Sequence, residues 1–359
     1  MLLRNTALAL RDRGHAVHLV VHAHGAGSDP DGLEIHCPRP IPGMRKTATR
    51  PSFAKPLLDL GLVRMLRRVV REQQIDVVHA HGHEGLKVAL KAGKRPIVYH
   101  AHHAMADVLS YARPLGRLSG KRLDRRYPRQ ADHVIVPHER LGEYLVTCGC
   151  DTSRISVIPP PVDVTEFELR ATSPEESLEM PPVVYMGSLD NYQNLDLLER
   201  TMAMLAQHMP NVRLIVATTQ SGQVADAQMV ATPDLDALRR VLARDVAVAC
   251  PRVSCSGYPI EVLNAMAAGR PVVACESAAR AITDRHDGVV VPDNDEKTFA
   301  QALHWLLTNP KVRTRLGGNA RSTVAVNHAP SSIAAAIEQV YCAAMASVTN
   351  AAQPGHVKE

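Results

Sequence analysis

The chain has 359 residues, enough for two domains at roughly 150 residues each. Hydrophobic residues make up 45% and charged residues 21%, which excludes a disordered chain, and no uninterrupted apolar run approaches the roughly 20 residues of a bilayer span. The 41 Lys and Arg exceed the 36 Asp and Glu by five, a balance compatible with an anionic substrate or membrane surface; aromatics, at 3%, are too few for base-stacking platforms, so no nucleic-acid partner is expected.

Leu3, Thr6, Ala7 and Leu10 fall at helical spacing, and Gly14 follows as a natural C′ residue. Residues 15–21 then read as a strand ending in the loop HAHGAGSDPDG. The grammar repeats with a helix at 57–74, a strand at 75–82, a helix near 84–92 and a strand at 96–103. After a basic helical stretch at 106–129 come a strand at 131–138, a short helix at 139–148 and the extended segment 153–163. Residues 164–182 are polar, acidic and proline-bounded, and are the expected linker. A second series then runs through strands at 182–189, 212–218, 245–252, 271–276 and 288–292, with helices at 194–208, 234–244, 260–268 and 296–308. Apolar strands alternating with amphipathic helices imply an α/β protein of two doubly wound parallel-sheet domains facing across a cleft, with ligands at the carboxyl ends of the strands.

The seven cysteines are odd in number and lack paired zinc-site spacing, so they read as reduced thiols of a cytoplasmic protein; Met1 to Arg13 shows no export signal. Chemistry-bearing residues gather at the strand ends. His79, His81 and His83 follow one strand and His100, His102 and His103 the next, so alternation brings several imidazoles to one mouth. With no carboxylate at ligand spacing and no helical His-x3-His pair, a polar contact or base is favoured over a metal site. In the second series, CPRVSCSGYPIEVLNAMAAG places a loop and a helix start after a buried strand, with Pro259 suited to N1 and Glu261 near N3. Free backbone N–H groups from Gly257 to Glu261, with Arg252, Ser254 and Ser256, outline an anion site; the opposing reading makes Arg252 a solvated loop charge. Gly187 permits close backbone approach at another strand end, where Asp190, Asn191 and Gln193 are either ligand contacts or ordinary turn residues. Basic residues at 45–72 accompany an apolar helical stripe, which suits an anionic membrane or equally a core-facing helix with a solvated face.

Taken together, LALRDRGHAVHLVV, IDVVHAHG, PIVYHAHH, ADHVIVPHERLGEYL, YMGSLDNYQNLDLL, VLNAMAAGRPVVAC and GVVVPDND resemble glycosyltransferase family 4 over nearly the whole chain. The resemblance implies the GT-B fold, with an acceptor-side Rossmann-like domain at 1–165 and a nucleotide-sugar domain at 166–330. It also implies a closing helix at 331–346 that packs back on the first domain, and a flexible tail at 347–359. It implies retaining transfer from a nucleoside-diphosphate sugar to a glycan or lipid-linked acceptor, without a cofactor or tightly held metal, in the cytoplasm or peripherally on the inner membrane face. His102 would contact the donor sugar as the catalytic histidine. Gly187, Arg252, Ser256, Gly257, Tyr258, Pro259, Ile260 and Asn264 would bind the donor.

The chain departs from the family where two glutamates are expected, on Ser256 and Asn264, and where an Arg and Lys usually follow the opening strand of the second domain. Arg252 is the candidate to restore the lost positive charge, and Asn264 to bond a ribose hydroxyl. These losses motivate an alternative, a degenerate GT-B protein that binds a sugar nucleotide or partner without catalysis. A dinucleotide-dependent oxidoreductase is disfavoured by the missing Gly-x-Gly-x-x-Gly. Because the chain opens on a helix where a doubly wound domain opens on a strand, a first strand and loop of roughly 20–30 residues are expected upstream of Met1.

Overall fold

A computed structural model describes residues 2–22, 32–39, 55–93, 95–111, 115–168, 180–253 and 257–352. The chain forms two compact units, Met1–Pro159 with Pro330–Glu359, and Pro160–Ala329.

In the first unit, α1 (Leu2–Asp12) leads to β1 (His18–Val20) and β2 (Glu34–His36), then α2 (Lys55–Glu72), β3 (Val78–His81), α3 (Gly82–Ala92) and β4 (Ile97–His100). The basic stretch is two helices, α4 (Met105–Ser110) and α5 (Gly116–Arg126), followed by β5 (His133–Val136), α6 (Glu139–Thr147) and β6 (Ile155–Val157). All pairings are parallel, in two sheets of order β1-β2 and β3-β4-β5-β6. Strand alternation divides the larger sheet between two cores. Val78, Ala80, Ile97, Tyr99, Val134 and Val136 meet Leu86, Leu141 and Leu145 of α3 and α6. Val98 and Ile135 face the other way, onto Ala9 and Leu10 of α1.

The second unit runs β7 (Val183–Met186), α7 (Leu195–Ala206), β8 (Leu214–Thr218), β9 (Ala227–Ala231), α8 (Leu235–Leu242), β10 (Ala247–Cys250), α9 (Ile260–Ala267), β11 (Val272–Cys275), β12 (Val289–Val291), α10 (Glu296–Thr308) and α11 (Pro310–Asn327). Its six parallel strands are ordered β12-β11-β10-β7-β8-β9. Val184, Met186, Val248 and Val272 bury against Leu263 and Met266 of α9 and Ala320 and Val324 of α11. Their alternates Val183, Tyr185, Ala249 and Val273 bury against Leu197 of α7 and Phe299 and Leu303 of α10. This two-faced burial explains the nearly continuous apolar strands in the sequence.

Three expectations need adjustment. The first crossing between units comes at Pro159–Pro160, ahead of the expected linker, because Val162 and Phe167 belong to the second unit's core; 169–179 lie outside the described residues. The closing helix α12 (Pro330–Ala352) takes in part of the expected tail, of which 353–359 lie outside the described residues. It completes the first unit: Ile333, Ala334, Ile337, Val340 and Ala344 pack on Leu10, Val98 and Ile135, while Glu338 accepts both Arg13 guanidinium bonds at 2.7 and 2.6 Å. The helical stretch Pro310–Thr349 contains a window apolar enough on average to cross a membrane by length and composition, although no uninterrupted apolar run does; 28% of that window is buried, and the five α12 side chains named above face the core.

Gly317 and Gly318, adjacent on α11, have opposite environments. A Cβ at Gly317 would strike the carbonyl oxygen of Gly269, which ends the α9 turn with φ +68°, whereas a Cβ at Gly318 meets nothing within 4 Å. Gly317→Ala is therefore expected to lower stability by about 1–3 kcal/mol through forced separation of the helices. Gly318→Ala should raise it by up to about 1 kcal/mol through helix propensity. Melting temperatures of the two variants shifting in the same direction would refute this packing.

Candidate functional site

In the second unit the strand order reverses direction between β7 and β10: the chain moves outward through β8 and β9, then returns to the other side of β7. Open α/β sheets bind ligands in the crevice that such a reversal leaves at the strand carboxyl ends. Gly187 ends β7 with φ +146°, and a Cβ there would meet the Tyr185 hydroxyl at 2.8 Å, so glycine is required. The Tyr185 hydroxyl donates to the Ser188 carbonyl at 2.5 Å, and Asn194, in the left-handed region at φ +57°, donates from Nδ2 to the Pro251 carbonyl at 3.2 Å and to Asn294 Oδ1 at 3.1 Å. Asn194 thus ties the β7 loop to the β10 loop.

Arg252 follows β10. Its guanidinium lies 5.3 Å from the centre of the Tyr192 ring and its Nη1 3.8 Å from Glu261 Oε1, with the side chain only 12% exposed. Its buried Nε has no hydrogen-bond partner among the described residues, an expensive state for a cationic donor. Arg252 is therefore not the solvated loop charge of the bland reading. Pro259 is the N-cap of α9 rather than N1, at φ −75° and ψ 97°, and it supplies no side-chain cap; Ile260 opens the helix. The uncapped first turn presents backbone N–H groups and the positive end of the helix dipole. Glu261, one residue further, faces Arg252 instead of capping its own helix.

Other expected donor residues are placed differently. Ser256, with Ser254 and Cys255, lies outside the described residues. Gly257 and Pro259 are buried, and Asn264, 5% exposed within α9 between the core residues Leu263 and Ala265, is buried where an open ribose contact was expected. Tyr258 turns its ring edge-on to His328, with the hydroxyl 3.5 Å from His328 Nε2, and is occupied in packing rather than open to a ligand. Burial pushes its hydroxyl up to about 12.

In the first unit, β3 and β4 pair with His81 opposite His100, and the register gathers four imidazoles. The rings of His79 and His81 stack at 4.4 Å and those of His79 and His100 at 5.3 Å. His79 Nε2 is 3.2 Å from His100 Nδ1, and His79 Nδ1 is 2.7 Å from the hydroxyl of Tyr341 on α12. His102, on the loop leaving β4, places Nε2 3.1 Å from His81 Nδ1. Burial and then the neighbouring rings push His79, His81 and His100 well below the usual imidazole value. Burial and His103 bring His102 down to about 4. All four are neutral at pH 7, able to donate from one nitrogen and accept at the other. His83 stands apart, edge-on to Tyr127, also pushed down to about 4.

Asn194, Tyr192 and Tyr341 escaped the sequence reading. Tyr192 lies between residues read as either ligand contacts or turn residues, Asn194 opens the expected helix 194–208, and Tyr341 reaches His79 across 262 positions with no local signal. In the basic helix α2, Arg67 donates to the Lys91 and Ala92 carbonyls at the end of α3, and Arg68 pairs with Glu72. Arg45, Lys46 and Arg50 lie outside the described residues.

Residues 1–166 match the family model of Glycosyltransferase Family 4, and residues 181–309 match that of Glycosyl transferases group 1. A D-inositol 3-phosphate glycosyltransferase of Kribbella flavida is 27% identical over 89% of this chain and 83% of its own; one of Pseudarthrobacter chlorophenolicus is 28% identical over 88% and 83%. Among solved structures, sucrose-phosphate synthase from Thermosynechococcus elongatus superposes with a TM-score of 0.79 at 19% identity, over 98% of this chain and 93% of its own. Anabaena HepE, solved in complex with UDP-glucose, gives 0.71 at 16% identity over 95% and 94%.

Proposed function

The chain belongs to the GT-B glycosyltransferases, its first part of the family 4 type, and on that premise we propose that it transfers a hexose from a nucleoside-diphosphate sugar with retention of anomeric configuration. The observation that carries the donor site is the buried, unpartnered Nε of Arg252 beside the uncapped first turn of α9, at the reversal point of the sheet. An anionic diphosphate answers all three demands: it accepts from the guanidinium, takes the free backbone N–H groups and offsets a cation held out of water. Leaving-group charge that develops as the glycosidic bond breaks is stabilised by the same donors. His102 orients the transferred sugar, as the family resemblance implies. For the acceptor, the relatives named for D-inositol 3-phosphate make a phosphorylated polyol the first to try, ahead of a glycan or lipid-linked acceptor. We place the work in the cytoplasm, in keeping with cysteines that read as reduced thiols.

Calorimetric titration with UDP, GDP and ADP sugars tests the reading. One nucleotide series should bind, and Arg252→Ala should weaken that binding about 10- to 100-fold, the size of a hydrogen bond to a charged group. An unchanged dissociation constant in Arg252→Ala would remove the diphosphate from this place. Donor bound but never hydrolysed or transferred, across phosphorylated and glycan acceptors, would overturn catalysis itself.

A further inference from the structure

Outside the transfer site, β1 and β2 carry a second constellation. Their parallel register sets His18 opposite Glu34 and Val20 opposite His36, so period-two alternation leaves His18, Glu34 and His36 on one face of a two-stranded sheet. Their polar atoms converge. His18 Nδ1 lies 3.0 Å from Glu34 Oε2 and 3.2 Å from His36 Nε2, and the last two atoms are 3.9 Å apart.

We propose that His18, Glu34 and His36 bind a divalent transition-metal ion of the zinc class. Zinc bonds to imidazole nitrogen and carboxylate oxygen run about 2.0–2.2 Å, which at tetrahedral angles puts ligand atoms about 3.3–3.6 Å from one another. The observed triangle, 3.0 by 3.2 by 3.9 Å, averages to that edge, so the three atoms form one face of a tetrahedron with little movement required. Two imidazoles and one carboxylate are a borderline donor set that suits zinc and, as a spectroscopic stand-in, cobalt. Without a cation the arrangement is poorly satisfied. Whichever ring nitrogen carries it, a shared proton joins these atoms in pairs, whereas a dication serves all three at once.

Exposure supplies the route and the open position. The His18 side chain is 8% exposed, that of His36 24% and that of Glu34 66%, so two nitrogens are fixed by the fold while the carboxylate side opens to water, the natural fourth ligand. The other histidine cluster fits a metal less well. No carboxylate accompanies His79, His81 and His100 among the described residues, and His79 Nδ1 is already engaged by Tyr341. His18, Glu34 and His36 carry no signal in the sequence, because three-residue strands have too little pattern to reveal which side chains pair. A bound ion would also cross-link an isolated pair of strands, a unit that is marginal by itself.

The test uses full-length, tag-free protein stripped of metal and titrated with Co²⁺, followed by displacement with Zn²⁺. One equivalent of Co²⁺ is expected to give the visible absorption of a four- or five-coordinate site and to be displaced by one equivalent of Zn²⁺. Glu34→Gln and His36→Ala should each weaken Co²⁺ binding at least 10- to 100-fold; Glu34 is exposed, so its variant folds even if His36→Ala does not. Cys37→Ser, at the neighbouring exposed thiol, and His100→Leu, in the other cluster, should bind as the parent does. Undiminished binding in Glu34→Gln, binding lost in Cys37→Ser or His100→Leu, or no stoichiometric binding in the parent would each overturn the site.

Discussion

Replacing His102 with alanine is expected to lower sugar transfer about 100- to 1000-fold, the range seen when one preorganised polar group is taken from a reacting centre. The reason lies in its state as well as its position. His102 is neutral at working pH because burial and His103 bring it down to about 4, and its Nε2 is already engaged with His81 Nδ1 at 3.1 Å. Its Nδ1 is left to meet a sugar hydroxyl or carbonyl oxygen in a fixed orientation. The loss should fall mainly on kcat if His102 acts as the bond breaks, and on KM alone if it only holds substrate. His81→Phe, which removes the partner that orients the ring, should produce a smaller fall, about tenfold, with donor affinity intact. A His102→Ala enzyme retaining more than a tenth of parental kcat/KM would exclude this residue from the chemistry.

The second large effect is on stability below neutrality. His79, His81 and His100 are held well below 6.5, and His83 and His102 near 4, chiefly by burial. In the unfolded chain these imidazoles titrate near 6.5. As pH falls through that value the unfolded state takes up protons that the folded state refuses. Stability is therefore complete above about 6.5 and is lost as pH drops toward the folded values. For His102 the difference between 6.5 and about 4 corresponds to about 3 kcal/mol at most, of which about 2 kcal/mol is given up by pH 5, and His83 carries the same shift. Several together rival the 5–15 kcal/mol that holds a typical domain. The first unit should consequently unfold near pH 5 while the second persists. Trp305, the one tryptophan of the chain, lies in the second unit, so its fluorescence should stay native while circular dichroism reports the partial loss. Urea midpoints that stay flat between pH 7.5 and 5 would contradict the mechanism, and His100→Leu should remove one proton from the uptake.

Much of this arrangement was legible in the chain. Strands such as Val183–Met186 and Val272–Cys275 are buried on both faces, and their unbroken apolar runs announce parallel strands between layers of helices. Two edge strands were not legible. Glu34–His36 and Ala227–Ala231 are short, partly exposed and carry charged or polar residues, so neither period two nor apolar content marks them. Helix α11 was obscured by its charges and by Gly317 and Gly318, the first of which is there for a close crossing with the α9 turn. At the site, alternation alone brought His79, His81, His100 and His102 to one mouth. It was silent on Tyr341, and the preference of proline for N1 put Pro259 one residue too far into α9. Local pattern encodes which face a residue takes; contacts made by distant segments have no such encoding.

The return of α12 to the first unit has a consequence for how the chain is made. Glu338, Tyr341 and the apolar side of α12 are the partners of Arg13, His79 and Leu10, so the opening 159 residues can bury the sheet face that meets α3 and α6 but not the face of Val98 and Ile135 until α12 leaves the ribosome. The second unit, contiguous from Pro160 to Ala329, has every strand and helix it needs well before then. Synthesis therefore reverses the usual N-to-C order of maturation: the later-encoded unit is able to fold first. The earlier one waits as a partly assembled sheet with an apolar face in want of its closing helix, and any stall before Pro330 leaves that face for chaperones to shield.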